Sequence, residues 1–141
     1  MSIPVVLLPL FVQVLLTFCL FFWMAYHRVT LLRAGAVNPR EIALREPNWP
    51  PHALQVANAA HNQLEIPLLF YVLTVLSIIT HHADLIFVVL AWIFVLSRIW
   101  HASIHVTHNR VQVRGPAFGI GLFVLFVMWV IFIVRILAGL P

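Results

Sequence analysis

Two stripes of polar side chains interrupt an otherwise apolar chain. Residues 58–67 read Asn58-Ala59-Ala60-His61-Asn62-Gln63-Leu64-Glu65-Ile66-Pro67. On a helix turning about 100° per residue, Gln55, Asn58, His61, Asn62 and Glu65 fall on one face. Further along, Arg98, His101, His105, His108 and Asn109 share an arc of about 100°. Amides, a carboxylate and arginines together suit a zwitterionic ligand bearing carboxylates and an amine. A cationic arginine or histidine beside it favours a thiolate over a thiol. His101, His105 and His108 also have the i, i+4 and i, i+3 spacings that gather imidazoles around a metal. No second paired-carboxylate motif accompanies them, as a di-iron bundle requires. Ser97 and Ser103 have no carboxylate and histidine set, so nucleophilic catalysis by a protein hydroxyl is unsupported.

The elements that position these stripes are membrane spans. Of 141 residues, 63% are hydrophobic and 9% charged, far from the soluble average of about a quarter charged. The basic residues are all arginine, and nothing resembles a nucleic-acid module. Clustered arginines at membrane ends record topology and contact with anionic lipid. The single cysteine, Cys19, lies in an apolar run and reads as a buried small hydrophobe. The expectation is one small all-α membrane domain over residues 1–141, a four-helix bundle with spans near 5–26, 54–80, 85–104 and 117–137.

The first span has no basic region before it, and bulky Phe21, Phe22 and Trp23 stand where a cleavage site would need small residues. It reads as an anchor. Gln13 and Thr17 within it are candidates for bonds to a neighbouring helix. Residues 27–51 read as a loop with Arg28, Arg33, Arg40, Arg45 and Glu46, and Trp49 suits the interface. The prolines at its end place the start of the second helix near Pro51. Pro67 has no N–H for the carbonyl of Gln63, so a kink is expected just beyond Glu65. His81 and His82 read as turn residues of a tight hairpin. Arg110, Arg114, Gly115 and Pro116 mark a third loop, Gly115, Gly119 and Gly121 offer close helix approach, and Arg135 snorkels to the interface.

The first and third loops carry the arginines and the second carries none. The positive-inside rule therefore puts both basic loops in the cytoplasm and both termini across the membrane. Counted from the hairpin, Glu65 and Arg98 both lie roughly 21 to 23 Å along their helices. A carboxylate and a guanidinium at one depth are expected to form an ion pair, with Asn62, His61, His101 and His105 extending it into a polar pocket. Interhelical bonding alone needs only one or two such groups. Convergence of at least five favours a ligand site.

The octapeptide Asn58-Ala59-Ala60-His61-Asn62-Gln63-Leu64-Glu65 resembles the Arg-Ala-x-x-Asn-x-x-Glu signature of the MAPEG family, the membrane-associated proteins in eicosanoid and glutathione metabolism. Ala59, Asn62 and Glu65 match, and Asn58 stands where the family usually has arginine. Arg98-x-x-His101-x-x-x-His105, followed by Arg114, resembles the family's Arg-x-x-His-x-x-x-Tyr pattern and the arginine opening its last helix, with His105 in place of the tyrosine. The resemblance covers essentially the whole chain and is closest to divergent bacterial members. It implies a homotrimer in a bacterial inner membrane, binding glutathione near the cytoplasmic face and taking hydrophobic small-molecule electrophiles from the membrane lipid. The implied activity is that of a glutathione transferase or peroxidase. Arg114 is then the residue that stabilises the thiolate, with His105 beside it. Asn62, Glu65, His101, His61 and Arg28 contact glutathione, and Arg98 supports the site by pairing with Glu65. The alternatives are a non-enzymatic bundle that binds lipid or a partner through its polar pocket, and a histidine-based metal-binding membrane protein.

Overall fold

Apolar length decides the architecture. The computed structural model describes residues 1–44 and 47–141; Arg45 and Glu46, placed with the first basic loop above, lie outside the described residues. The helices are α1 (Ile3–Arg33), α2 (Pro51–Asn62), α3 (Ile66–Ile79), α4 (Leu85–Val106) and α5 (Val111–Leu137), with a 3-10 turn at Pro39–Glu41. Taking α2 and α3 together, four helical stretches are long and apolar enough to cross a membrane, and no strand occurs among the described residues. Large apolar side chains such as Phe11, Leu15, Phe18, Phe22, Phe123 and Phe126 are exposed around the outside. That surface belongs in lipid rather than water, and the chain is an integral multi-pass membrane protein.

Several boundaries move from the expected positions. α1 has 31 residues and continues through Arg28 and Arg33, so these arginines ride on a helix and the loop begins after it. It stops in a Schellman motif: Gly35 takes a φ of 70°, the Gly35 N–H donates to Leu32 and the Ala36 N–H to Leu31. α2 begins at Pro51 as expected. α5 begins at Val111, so Arg114, Gly115 and Pro116 are helical rather than a loop. Pro116 forgoes only one backbone bond, to the carbonyl of Gln112, whose residue is exposed near the helix start. The turn before it is closed by Asn109, at a φ of 51°, whose N–H donates to Ile104.

The break between α2 and α3 falls at Gln63–Glu65, just ahead of Pro67. Leu64 and Glu65 donate back to His61 and Asn62 in tight 3-10 fashion. The Gln63 N–H donates to Ala60, which frees the carbonyl of Ala59. The Gln63 side chain fills that gap, donating Nε2 to Ala59 O at 3.0 Å. Gln13 on α1 donates Nε2 to Gln63 Oε1 at 2.8 Å, and both glutamines are fully buried. Gln13 thus bonds a neighbouring helix as expected, whereas Thr17 donates to its own helix at Gln13 O.

α4 packs against α1, α2 and α5. One apolar cluster joins Val6, Phe70, Leu73, Phe94, Val95 and Leu125; a second joins Leu20, Met24, Val56, Ala57, Ala59, Ala60 and Ala102. The alanines on α2 and α4 let the backbones approach while Asn58 and His61 face the other way. Gly121 is the glycine that close packing requires, since an added Cβ would lie 2.7 Å from Ser97 Oγ. Gly115 and Gly119 meet nothing within 4 Å inside the chain, so the expected close approach there is not made within one copy.

At the opposite end from α2, His81 adopts a φ of 58° in the turn and Asp84 caps α4, accepting from the Phe87 N–H at 3.0 Å. Arg135, near the end of α5, reaches this corner, where its Nη1 pairs with Asp84 Oδ2 at 2.7 Å. A carboxylate held in place by a helix N-terminus lies within its reach. His82 joins the same corner through Thr80 Oγ1 and the carbonyl of Leu140.

Candidate functional site

Three helices bring the polar residues to one cavity. α2 contributes Asn58, His61 and Asn62, with Glu65 just beyond its end; α4 contributes His101 and His105; α5 contributes Arg114 and Phe118. The cavity has a volume of about 510 Å³, within the range of about 300–1,000 Å³ typical of small-molecule sites. Every residue expected to contact the ligand lines it except Arg28. Arg28 sits in an adjoining cavity, with its guanidinium 5.3 Å from the centroid of the Trp49 ring.

Arg98 is almost completely buried behind this cavity. Its Nη2 donates to Asn62 Oδ1 at 2.6 Å and to Asn62 O at 3.3 Å. Asn62 is the last residue of α2, where carbonyls lack helical partners and the helix dipole is negative. A cation there satisfies both. The expected ion pair between Arg98 and Glu65 is therefore not formed, for the sole pair among the described residues joins Arg135 and Asp84. The reason is the break: after Asn62 the backbone leaves the helix, and Glu65 becomes the exposed N-cap position of α3 at φ −95°, ψ −106°. Glu65 stays within electrostatic range of the guanidinium.

His101 and His105 are buried with ring centroids 4.8 Å apart. The ring of Phe118 is tilted against His101 with centroids 5.6 Å apart and lies 6.0 Å from Arg98 Cζ. Arg114 is aimed by Asn109, whose Oδ1 accepts from Arg114 Nη1 at 2.7 Å. Four buried polar atoms on this wall have no hydrogen-bond partner in the described residues: Arg98 Nε and Nη1, His101 Nδ1 and His105 Nδ1. Leaving such groups unpaired is costly, so a wall of this kind is built for something polar.

His108, offered as a third imidazole for a metal, is exposed and turned away; its Nδ1 accepts from the Arg110 N–H at 3.1 Å. Among the described residues, no three histidine, cysteine or acidic side chains come close enough together to hold a metal ion. Val111, Gly115 and Phe118 are cavity residues that the sequence reading missed. They follow the same +4 and +3 spacing around Arg114 that marked the other stripes, a signal hidden by ending the loop at Pro116.

No curated protein matches the chain closely enough to count, and no solved structure does. The model of the MAPEG family matches residues 6–134, a stretch that includes every residue lining the cavity. The chain, with its four membrane-spanning stretches and its two polar stripes on α2 and α4, belongs to the MAPEG family.

Proposed function

We propose that this chain is a membrane-bound glutathione transferase or peroxidase-like enzyme, with the cavity between α2, α4 and α5 as its thiol site. The observation that carries the reading is the convergence of Asn62, Glu65, His101, His105 and Arg114 on one cavity, backed by four buried polar atoms without a partner among the described residues. A carboxylate, an amide and a guanidinium are the groups that hold a peptide bearing an amine and carboxylates. Glutathione, when bound, supplies the thiol that becomes the nucleophile or reductant.

The chain's own residues then divide the work. Glu65 takes the amine, and Asn62, fixed by Arg98, gives an amide of set direction. Arg114, held by Asn109, places positive charge where a thiolate develops and so favours ionisation. His105, whose Nδ1 has no partner among the described residues, accepts the thiol proton and passes it to solvent. In the transferase reaction sulfur forms a bond to an electrophilic carbon, and the leaving group departs with its electron pair.

Exposed Asn58 and Glu65 at this level of a membrane helix call for cover by another copy of the chain, which supports the homotrimer of the resemblance. The arginine-rich ends of α1 and α5 lie beside the cavity, which supports a cytoplasmic placement of this side. The test is conjugation of 1-chloro-2,4-dinitrobenzene by purified protein. Glu65→Gln and Arg114→Ala are expected to lose the activity with the oligomer intact; wild-type protein without glutathione-dependent conjugation or peroxide reduction would remove the reading.

A further inference from the structure

The last turns of α1 present a face that no other helix of the chain covers. Phe22, Ala25, Tyr26, Val29, Thr30 and Arg33 follow the +3, +4, +7 spacing of one helical stripe. An open hollow of about 700 Å³ runs along them, with no residue of another helix in its wall. All six are exposed. α1 has 31 residues, about 46 Å at 1.5 Å each, against a hydrocarbon core of about 30 Å. Its apolar run ends near Tyr26, so the turns beyond it rise from the edge of that core into the headgroup layer.

Two side chains on this stripe lack the partners that their kind finds elsewhere in the chain. Thr17, Thr74, Thr80 and Thr107 each return the hydroxyl to the carbonyl four residues back. Thr30, the remaining threonine, donates to nothing among the described residues. Arg98 and Arg114 donate to side-chain amides and Arg135 to a carboxylate, whereas the guanidinium of Arg33 has no such acceptor among the described residues. A hydroxyl and then a guanidinium, about 5 Å further along the axis toward water, match the ester carbonyl and the phosphate of a glycerophospholipid. Below them, small Ala25 between Phe22 and Val29 leaves the hollow room for an acyl chain. No carboxylate lies on the stripe to take an ammonium group, so the charge match is to a headgroup that is anionic overall.

We propose that this face of α1 seats an anionic glycerophospholipid, with its phosphate on Arg33, an ester carbonyl on the Thr30 hydroxyl and one acyl chain along Val29, Ala25 and Phe22. The fork of a guanidinium meets two phosphate oxygens at once. A threonine hydroxyl at the ester level is satisfied there without bending back on its own helix. The ring of Tyr26 stands beside the lipid at the depth where tyrosines gather in membrane proteins. The seat does not rest on the transferase reading above.

The test uses the full chain purified in detergent with equal amounts of phosphatidylglycerol and phosphatidylcholine, and counts the lipids that stay on the protein by native mass spectrometry. Wild type is expected to keep phosphatidylglycerol over phosphatidylcholine by about tenfold, and its Tm to rise when phosphatidylglycerol is added. Arg33→Gln is expected to bring the two lipids to parity and to remove that rise. Arg33→Lys keeps the charge without the fork and retains part of the preference. Thr30→Val, which holds the shape and loses the hydroxyl, is expected to lower phosphatidylglycerol retention about threefold. Arg110→Gln removes an exposed arginine at the same end of the bundle but off the stripe, and is expected to leave the ratio unchanged. Equal losses in Arg33→Gln and Arg110→Gln would reduce the effect to general surface charge and overturn the seat. So would a lipid preference indifferent to Arg33, or displacement of the lipid by soluble glycerol 3-phosphate. A fall in oligomer mass for Arg33→Gln or Thr30→Val in phosphatidylcholine alone would give this face to a second copy of the chain instead.

Discussion

Arg98 on α4 reaches the last residue of α2, donating Nη2 to Asn62 Oδ1 at 2.6 Å and to its carbonyl at 3.3 Å. This one side chain fixes an amide of the cavity between α2, α4 and α5 and closes the end of the helix that carries it. In a double-mutant cycle of Arg98→Met and Asn62→Ala, the coupling is expected to be about 1–3 kcal/mol by thermal or denaturant unfolding. Independent effects of the two changes would mean that the contact does not support the break.

The bond between Gln13 and Gln63 holds the same break from the other side. Gln13→Leu should destabilise by about 1 kcal/mol, because buried Gln63 Oε1 loses its donor. A Gln13→Leu, Gln63→Leu pair should lose the bond yet leave Ala59 O unsatisfied, and so remain below wild type. Unfolding in detergent of fixed composition reads both effects. Wild-type stability in the single variant contradicts the clamp.

Gly121 and Gly119 make opposite predictions. Gly121→Ala drives a methyl to 2.7 Å from Ser97 Oγ, at an expected cost of about 1–3 kcal/mol. Removing the hydroxyl with Ser97→Ala should restore most of it. Gly119→Ala meets nothing within 4 Å inside the chain. Its effect on the unfolding of a single copy is expected within about 0.5 kcal/mol. A drop in oligomer mass for Gly119→Ala would place that glycine between copies.

The Asp84 and Arg135 pair gives a dependence on pH. Burial alone would raise the Asp84 carboxyl, but the Phe87 N–H and Arg135 outweigh it and hold it below the usual carboxylate range. A group whose folded value is lowered contributes fully above its unfolded value, about pH 4, and loses that contribution as pH falls through the folded value. The Tm advantage of wild type over Asp84→Asn should therefore be present at neutral pH and shrink below about pH 4. A constant difference across that range contradicts the pair.

Much of this site is written in helical spacing. The stripes Asn58, His61, Asn62, Glu65 and Arg98, His101, His105 are legible because polar residues at +3 and +4 stand out against apolar neighbours. The family resemblance was carried by the same residues, and the family match extends over them. The partner of Arg98 was not legible. It depends on where α2 stops, and that is set partly by Gln13, fifty positions away from Gln63. The contribution of α5 was hidden for a local reason: Gly115-Pro116 reads as a helix breaker, whereas near a helix start a proline gives up only a single bond. Arg28 was misplaced because the length of α1 beyond the apolar run is governed by the Gly35 stop, not by hydropathy.

The central claim is that the cavity between α2, α4 and α5 holds glutathione with Arg114 at the sulfur. Titration calorimetry of glutathione into purified wild-type and Arg114→Ala protein tests it most directly. The account predicts binding to wild type and a loss of about tenfold or more in the variant at unchanged Tm. Equal affinity in the two proteins, or no binding to wild type, would contradict it.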